Sequence, residues 1–358
     1  MPRAFTKKGI FVATMYYIIR NGQPFGPYPI DALRAYVEDG KILMSDSASN
    51  GSNVQNVRYF LRQNNIKVNI KNAGNITQQI GKIGKDLITP SFAFIKKDLL
   101  KDRKVLTLAA IGLAPAFLIT FVSGISNYLT FYAISLYFSV IWGIFFYYMF
   151  RTPQIENRKT ILIFFLTQLT ALVIVNVQNL PPMNLLYALT KSDSLVLRLV
   201  GYVLGVGLTE ECIKMLPLIF LVRHAKQPLI PQTLVYYGLI SGIGFGVLEG
   251  VLYQTTTNTQ LTYSDAFFMN ISRLTCLPFL HAVWAGIAGY FVGFANLYPK
   301  YRRALYTLAI AIPAVLHGVY DVLGWSLLGL GSTLLSVLLL MYYLKKSADY
   351  QHKLINIP

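Results

Sequence analysis

The apolar runs of this chain restrict its fold more than any other feature. A helix needs about 20 apolar residues to cross a bilayer. Eight runs of about that length cover residues 105–123, 128–150, 160–177, 196–222, 233–253, 274–298, 304–323 and 326–344. Hydrophobic residues make up 54% of the chain and charged residues only 13%, which excludes an ordinary soluble protein. The sequence therefore predicts an all-α polytopic membrane protein with about eight transmembrane helices.

The basic residues indicate how these helices would be oriented. The chain carries 32 lysines and arginines against 15 aspartates and glutamates, a net charge of +17. Cytoplasmic loops of membrane proteins are enriched in Lys and Arg. Basic residues follow the second, fourth, sixth and eighth runs, at Arg151, Arg158, Lys159, Arg223, Lys226, Lys300, Arg302, Arg303, Lys345 and Lys346. This alternation predicts that both termini are cytoplasmic and that the charge faces the lipid bilayer, with no nucleic-acid partner.

Composition divides the chain into four parts. Residues 15–62 combine short apolar stretches, a turn and a helical pattern, which predicts a small α+β soluble domain. Residues 63–104 are rich in Asn, Gln, Gly and Lys and predict a linker that ends in a basic juxtamembrane segment. Residues 105–344 contain the apolar runs, and residues 345–358 form a cytoplasmic tail.

Three charged residues lie close together in the middle of the fourth apolar run. Glu210, Glu211 and Lys214 lie in its middle, where each such residue costs about 2.5–3.5 kcal/mol on insertion scales. On a helix, Lys214 lies one turn from both glutamates, so it can neutralise one of the two carboxylates. Two adjacent carboxylates in a low dielectric do not both ionise easily. Such a pair suits a general base beside a general acid.

Four more ionisable residues occur in the next three runs. Glu249 follows a glycine-rich stretch that lets another backbone approach closely. His281 precedes a face of small residues, and His317 and Asp321 lie one helical turn apart. With a rise of about 1.5 Å per residue, all these groups can meet in the middle to outer half of the membrane. Their co-occurrence predicts one polar pocket between four consecutive helices.

Three classes of protein place such residues inside a membrane. An enzyme would use them for acid–base chemistry, either with no cofactor or with a zinc ion held by His281, His317 and Glu249. A proton- or ion-coupled transporter would also concentrate them at the midplane, but it predicts internal repeats, which the two halves of the sequence do not show. A catalytically silent receptor that docks a peptide through its N-terminal domain is the third alternative.

The motifs resemble those of the PrsW family of intramembrane proteases, which is related to CAAX-processing and bacteriocin-processing membrane proteases. The matching segments are Glu210-Glu211-Cys212-Ile213-Lys214, Phe245 to Glu249, His281-Ala282, and His317 to Asp321, in family order. Asn often follows the glutamate of the second motif in that family, whereas this chain has Gly250. The resemblance implies cleavage of membrane-anchored proteins, such as anti-sigma factors or other single-span proteins, in a bacterial cytoplasmic membrane.

The resemblance also suggests roles for the catalytic side chains. Glu210 or Glu211 would activate a water, and the other carboxylate or Glu249 would deliver a proton to the leaving group. His281 and His317 would stabilise the oxyanion or position the water.

Two further residues would support this chemistry. Lys214 would tune the glutamate pair, and Asp321 would orient the imidazole of His317. No cofactor is expected in this version, whereas zinc is the cofactor of the metal-dependent version.

The N-terminal domain resembles the GYF-like domains found at the start of some bacterial membrane proteins. The matching residues are Tyr17, Gly26-Pro27-Tyr28, Asp31-Ala32-Leu33 and Gly40-Lys41-Ile42. Such domains can bind proline-rich peptides on an aromatic platform, so a peptide is an expected partner. A simple packing or spacer domain is the alternative.

Overall fold

The chain folds mainly into helices, with one small antiparallel sheet near its N-terminus. A computed structural model describes residues 15–20, 22–51, 53–70, 74–87, 128–256, 265, 269, 272–324 and 326–353. The helical membrane protein predicted from the apolar runs is confirmed in its class. The first predicted run, 105–123, lies outside the described residues.

The N-terminal unit is a four-stranded sheet with two helices. Its elements are β1 (Met15–Arg20), β2 (Gln23–Pro29), α1 (Ile30–Glu38), β3 (Ser47–Ser49), β4 (Val54–Asn56) and α2 (Val57–Gln63). The strands are antiparallel, in the spatial order β2-β1-β3-β4. Ile18, Leu33 and Val57 form the centre of its core. The predicted α+β architecture is confirmed, while kinship with GYF-like domains stays a prediction.

The segment predicted as a linker contains a helix, α3 (Ile76–Leu87). Its start is capped, because Asn75 Oδ1 accepts a hydrogen bond from the Gln78 N–H at 2.9 Å and Gln78 Oε1 accepts one from the Asn75 N–H at 3.2 Å. Gln79 is fully buried, and its Oε1 accepts a hydrogen bond from the Ala304 N–H at 3.2 Å. The polar composition of this segment did not indicate the helix, which is docked on the membrane helices, and the role of residues 63–104 as a linker stays a prediction.

The membrane part consists of long helices joined by shorter ones. Its α-helices are α4 (Tyr128–Phe150), α5 (Asn157–Ala171), α6 (Ile174–Gln178), α7 (Met183–Ala188), α8 (Leu195–Val200), α9 (Leu208–His224), α10 (Pro231–Thr256), α11 (Leu277–Leu297), α12 (Arg302–Leu323) and α13 (Leu327–Lys353). Two π-helical segments interrupt this pattern. Gly201–Gly207 connects α8 to α9, and Ser272–Cys276 leads into α11.

Six helical segments of the described chain are long and apolar enough to cross a membrane. They are Phe131–Phe150, Asn157–Gln178, Pro231–Thr256, Arg273–Leu297, Pro299–Leu323 and Leu327–Lys346. The run predicted at 196–222 is also helical, from Leu195 to His224, but the charges in its middle make it less apolar. The predicted count of eight spans is therefore not confirmed, since the remaining run, 105–123, is not described.

Helices α10 and α11 form the centre of the membrane part. In each, 94% of the most apolar window is buried by the rest of the chain, so the pair has little contact with lipid. Glycines bring the two backbones together, as the sequence predicted. An ideal Cβ on Gly246 would lie 2.6 Å from the Cα of Pro278, and one on Gly293 would lie 2.5 Å from the Cα of Pro231. Only hydrogen fits at these two positions.

We expect Gly293→Ala to destabilise the folded protein by about 1–3 kcal/mol, because the new methyl group overlaps the backbone of α10. Thermal unfolding in detergent measures the change. Gly331→Ala on α13 is the matched control, since no atom lies within 4 Å of its Cβ position. That control should be neutral or slightly stabilising, because Ala favours a helix over Gly by about 1 kcal/mol. Equal stability of the two variants would contradict close packing at Gly293.

Candidate active site

The structure brings all seven predicted residues into one cluster between four helices. Glu210, Glu211 and Lys214 lie on α9, Glu249 on α10, His281 on α11, and His317 and Asp321 on α12. Every member has a charged group within 4.0 Å of another member. The predicted polar pocket between four helices is therefore present, and the role of each residue stays a prediction.

Lys214 occupies the centre of this cluster and is completely buried. Its Nζ donates a hydrogen bond to Glu211 Oε1 at 2.6 Å and lies 2.7 Å from His281 Nδ1. The ammonium group also lies 4.6 Å from the ring centroid of Phe245, a cation–π contact. Glu210 Oε2, at 3.8 Å, is too distant for a hydrogen bond. Lys214 therefore neutralises Glu211 more directly than Glu210.

Glu211 also orients His317. With the ring proton assigned to Nδ1, His317 donates a hydrogen bond to Glu211 Oε1 at 3.1 Å. In the neutral ring, Nε2 is then an acceptor. It faces Glu210 Oε2 at 3.7 Å and Asp321 Oδ2 at 3.4 Å. Asp321, the residue predicted to orient His317, lies at Nε2 of this ring, and Glu211 contacts Nδ1 at the opposite side, so the orienting role of Asp321 stays a prediction.

His281 connects Lys214 to Glu249. A lysine ammonium has only donors, so Nδ1 of His281 accepts and a neutral ring carries its proton on Nε2. This Nε2 lies 2.6 Å from Glu249 Oε2. The two atoms are close enough for an ion pair, yet neither has a hydrogen-bond partner, because their alignment is poor. Both atoms therefore still have the capacity to form a hydrogen bond with a further polar group.

The two imidazole rings are held by an aromatic side chain on α11. Trp284 stacks on His317 with ring centroids 4.3 Å apart and an interplanar angle of 17°. It meets His281 edge to face at 5.4 Å. The indole Nε1–H donates a hydrogen bond to Ser336 Oγ at 3.2 Å. The sequence analysis missed Trp284, although it lies one helical turn after His281 on the same helix.

An irregular stretch before α9 positions Glu210. Gly201–Gly207 is π-helical, a conformation that is frequent at functional sites. Gly207 packs against α12, where an ideal Cβ would lie 2.6 Å from the carbonyl oxygen of Ala314. The next turn carries Glu210, whose Oε2 is buried and has no hydrogen-bond partner in the structure. Close packing of the two helices thus holds an unpaired carboxylate oxygen inside the protein.

A cavity of about 560 Å³ reaches the cluster. Glu210, Glu249 and Asp321 line it, whereas Glu211 and Lys214 lie behind them. This volume is in the usual range of binding pockets, about 300–1,000 Å³. The three lining carboxylates are the charged members of the cluster that a ligand in the cavity would meet.

Four tyrosines and one arginine also line this cavity. They are Tyr187, Tyr202, Tyr253, Tyr320 and Arg273. The guanidinium carbon of Arg273 lies 3.7 Å from the ring centroid of Tyr253, a cation–π contact. Arg273 was not among the residues predicted for the site. Its position between the fifth and sixth apolar runs, on the side where the positive-inside pattern expects few basic residues, was the available signal.

The family model described as "PrsW family intramembrane metalloprotease" matches residues 136–345, which is more than half of the chain and includes all four site helices. The chain belongs to the PrsW family. This membership and the apolar helices make it an integral membrane protein.

Curated relatives with the name "Protease PrsW" match part of the same region. The one from Oceanobacillus iheyensis is 28% identical over 143 residues, covering 40% of this chain and 62% of the relative. The one from Geobacillus kaustophilus is 29% identical over 125 residues, covering 35% of this chain and 51% of the relative. The chain thus spans less than two thirds of the length of these relatives. No solved structure matches it.

The metalloprotease description of the PrsW family can be tested against the side chains of the cluster. Glu210, His281 and His317 each offer one ligand atom, and these atoms lie within 4.8 Å of one another. Glu210 Oε2 and His281 Nε2 are buried atoms without a hydrogen-bond partner. One carboxylate and two imidazoles, with a fourth position open, form a ligand set that zinc accepts. The residue types and their spacing fit zinc, with Glu210 in place of the predicted Glu249, provided that the proton of His281 lies on Nδ1 and not on Nε2.

In this PrsW family member, close packing against a neighbouring helix explains why residue 250 is glycine. A Cβ at this position would overlap the carbonyl oxygen of Arg273. The asparagine that often follows the glutamate in the family would therefore displace the start of the π-helical segment Ser272–Cys276. The departure from the family pattern brings Arg273 close to α10.

We expect Lys214→Met to destabilise the protein by about 3–5 kcal/mol, because it leaves the buried Glu211 carboxylate without its ammonium partner. The double variant Lys214→Met/Glu211→Gln should recover at least half of this loss, since the unpaired charge is removed. Unfolding in detergent measures both variants. Lys159→Met is the control, because its ion pair with Glu156 is solvent-exposed and worth at most about 1 kcal/mol. Additive losses in the double variant would contradict the pairing.

Proposed function

We propose that this protein is an intramembrane endopeptidase that cleaves membrane-anchored proteins, such as anti-sigma factors or other single-span proteins. The observation that carries the proposal is the buried cluster of carboxylates and imidazoles, which a cavity reaches inside a helical membrane protein. Family membership and relatives with the name "Protease PrsW" agree with it. The basic loops support a location in a bacterial cytoplasmic membrane with both termini in the cytoplasm.

Glu210 is our choice for the general base of the glutamate pair. Glu211 is occupied on one oxygen by both Lys214 and His317, and it does not line the cavity. Both glutamates have a buried Oε2 without a hydrogen-bond partner, but only Glu210 lines the cavity, so its carboxylate is the one that a water in the cavity can reach. A carboxylate in that position can accept a proton from a water that attacks a peptide carbonyl. Glu211 would then serve by holding His317 and Lys214 in place.

The remaining groups would handle the oxyanion and the leaving group. His281 Nε2–H, held in that tautomer by Lys214, can donate to the developing oxyanion. Glu249 lines the cavity next to the same nitrogen, so it can carry the proton that the leaving amine requires. Asp321 lies 3.4 Å from His317 Nε2 and would stabilise a positive charge on that ring. In this version every proton is moved by side chains of this chain.

The clustering of Glu210, His281 and His317 supports a zinc-dependent version of the same reaction. These three residues would hold the ion. Bound zinc would lower the pKa of its water and polarise the scissile carbonyl. Glu249 would then be the free carboxylate nearest to His281, available for the proton transfers.

We expect Glu210→Gln to lower cleavage of a single-span substrate in liposomes by about 10²–10⁴-fold, the usual contribution of a general base. Its thermal stability should change little, because Glu210 makes no hydrogen bond to Lys214. Glu211→Gln should lower both activity and stability, since it breaks contacts with Lys214 and His317. Glu156→Gln, at an exposed site far from the cluster in sequence, is the control. Wild-type cleavage by Glu210→Gln would overturn this assignment.

Chelation separates the two versions. We expect cleavage to survive exhaustive treatment with a strong chelator, because Lys214 at 2.7 Å from His281 Nδ1 favours a proton on Nε2 rather than an open ligand position. Elemental analysis of the purified protein gives an independent readout. Loss of activity on chelation, together with about one zinc per chain that His317→Ala abolishes, would establish the zinc version instead.

A further inference from the structure

A second cavity, of about 660 Å³, lies between the N-terminal unit and the membrane helices. The N-terminal side contributes Arg58 and Arg62 of α2, and the membrane side contributes Arg223 at the end of α9 and Arg302 at the start of α12. No aspartate or glutamate lines it. Four guanidinium groups therefore surround one cavity that has no carboxylate in its wall.

The docking of the two parts of the chain brings these charges together. Arg58 Nη2 donates a hydrogen bond to Asn296 Oδ1 at 2.6 Å, at the end of α11. Asn296 is itself fixed, because its Nδ2 donates to the carbonyl oxygen of Leu229 at 3.1 Å. Among the described residues, none of the four arginines forms an ion pair with a carboxylate. The positive charge of the cavity thus has no counter-ion from the described part of the chain.

The crowding of positive charge in this cavity affects the protonation of Arg58. Burial, followed by repulsion from Arg62 and Arg302, lowers the pKa of Arg58 to about 10. Arg58 stays protonated at neutral pH, so its charge must be balanced by solvent or by a bound anion. An anion with several oxygens suits such a group, since each guanidinium presents a planar fork of donors that matches phosphate.

Apart from Asn296, the remaining wall of the cavity is mainly apolar. Ile66, Val68 and Ile70 line it from the N-terminal side, and Ile219, Val222 and Tyr306 from the membrane side. The volume greatly exceeds that of a phosphate ion, whose few oxygens would leave these side chains uncovered. A ligand that fits both parts has a phosphate head and an apolar body.

We propose that this cavity binds the phosphate headgroup of an anionic phospholipid, with the apolar wall covering the start of its acyl chains. Basic residues near a membrane usually only fix topology. Arg223 and Arg302 flank predicted spans and meet that description, but Arg58 and Arg62 belong to the soluble unit and have no such use. The bound headgroup would join the two parts of the chain. This inference does not depend on the proposed protease activity.

The test uses the purified full chain in neutral detergent, with short-chain phosphatidylglycerol, short-chain phosphatidylcholine and inorganic phosphate as probes. Native mass spectrometry measures retention of each probe, and the unfolding temperature measures its effect on stability. We expect phosphatidylglycerol to be retained and to raise the unfolding temperature, and phosphatidylcholine to do neither. Phosphate alone should bind at least tenfold more weakly than phosphatidylglycerol.

Variants locate the binding site. Arg62→Gln and Arg302→Gln should each weaken phosphatidylglycerol binding about tenfold or more, by removal of one charged fork. Arg303→Gln is the matched control, because it is the next residue on α12, exposed, and not part of the cavity wall. Arg58→Gln would also remove the hydrogen bond to Asn296 that holds the N-terminal unit against α11. Arg62 does not make this hydrogen bond, so Arg62→Gln tests phosphatidylglycerol binding without changing that contact.

One outcome would overturn the proposal, and a second would change the kind of ligand assigned to the cavity. Equal phosphatidylglycerol binding by wild type, Arg62→Gln, Arg302→Gln and Arg303→Gln would overturn it, because the lipid would then be held only by general surface charge. Phosphate binding as tight as that of the lipid, with the same dependence on Arg62 and Arg302, would support the phosphate site but assign it to a soluble phosphate compound.

Discussion

A fully buried lysine ammonium is the constraint on which this part of the structure depends. Lys214 has no access to solvent, so its charge is tolerated only while Glu211 and the imidazole of His281 remain beside it. These partners come from α9 and α11, and Glu211 extends the network to His317 on α12. The Lys214–Glu211 pair lies within α9, whereas the contacts to His281 and His317 cross between helices, so independent rotation of the helices would leave buried polar groups without these partners. The same interactions that cost energy to bury also fix the geometry of the cluster.

The sequence predicted the members of this cluster, but not how they are connected. Charged and imidazole side chains inside apolar runs are conspicuous, and helical spacing placed them on facing surfaces. Hydrogen bonds between helices depend on rotation about each helix axis, which spacing does not determine. The contact between Glu211 and His317 was therefore not predicted, whereas the proximity of Asp321 to the same ring was. Trp284 was missed because an aromatic residue in an apolar run carries no polarity signal.

Composition was a weaker guide outside the membrane helices. Residues 63–104 read as a linker because they are polar, yet α3 lies within them and Gln79 docks on α12. The capping pair Asn75 and Gln78 was visible in the sequence and is a better indicator of a helix start than average polarity. The positive-inside pattern likewise accounted for Arg223 and Arg302 as separate charges. Their convergence with the arginines of α2 arises from tertiary docking alone.

The enclosure of α10 and α11 has a consequence for how the protein assembles. Transmembrane helices enter the bilayer individually before they pack, so these two must first present their glycine-rich surfaces to lipid. These glycine-rich surfaces then pack against each other, whereas the remaining surfaces of the two helices exchange lipid for protein contacts only when the outer helices arrive. Since α9 and α12 bring most of the ionisable groups, the cluster exists only after this last step. Formation of the cluster therefore depends on correct assembly of all four helices that carry its residues.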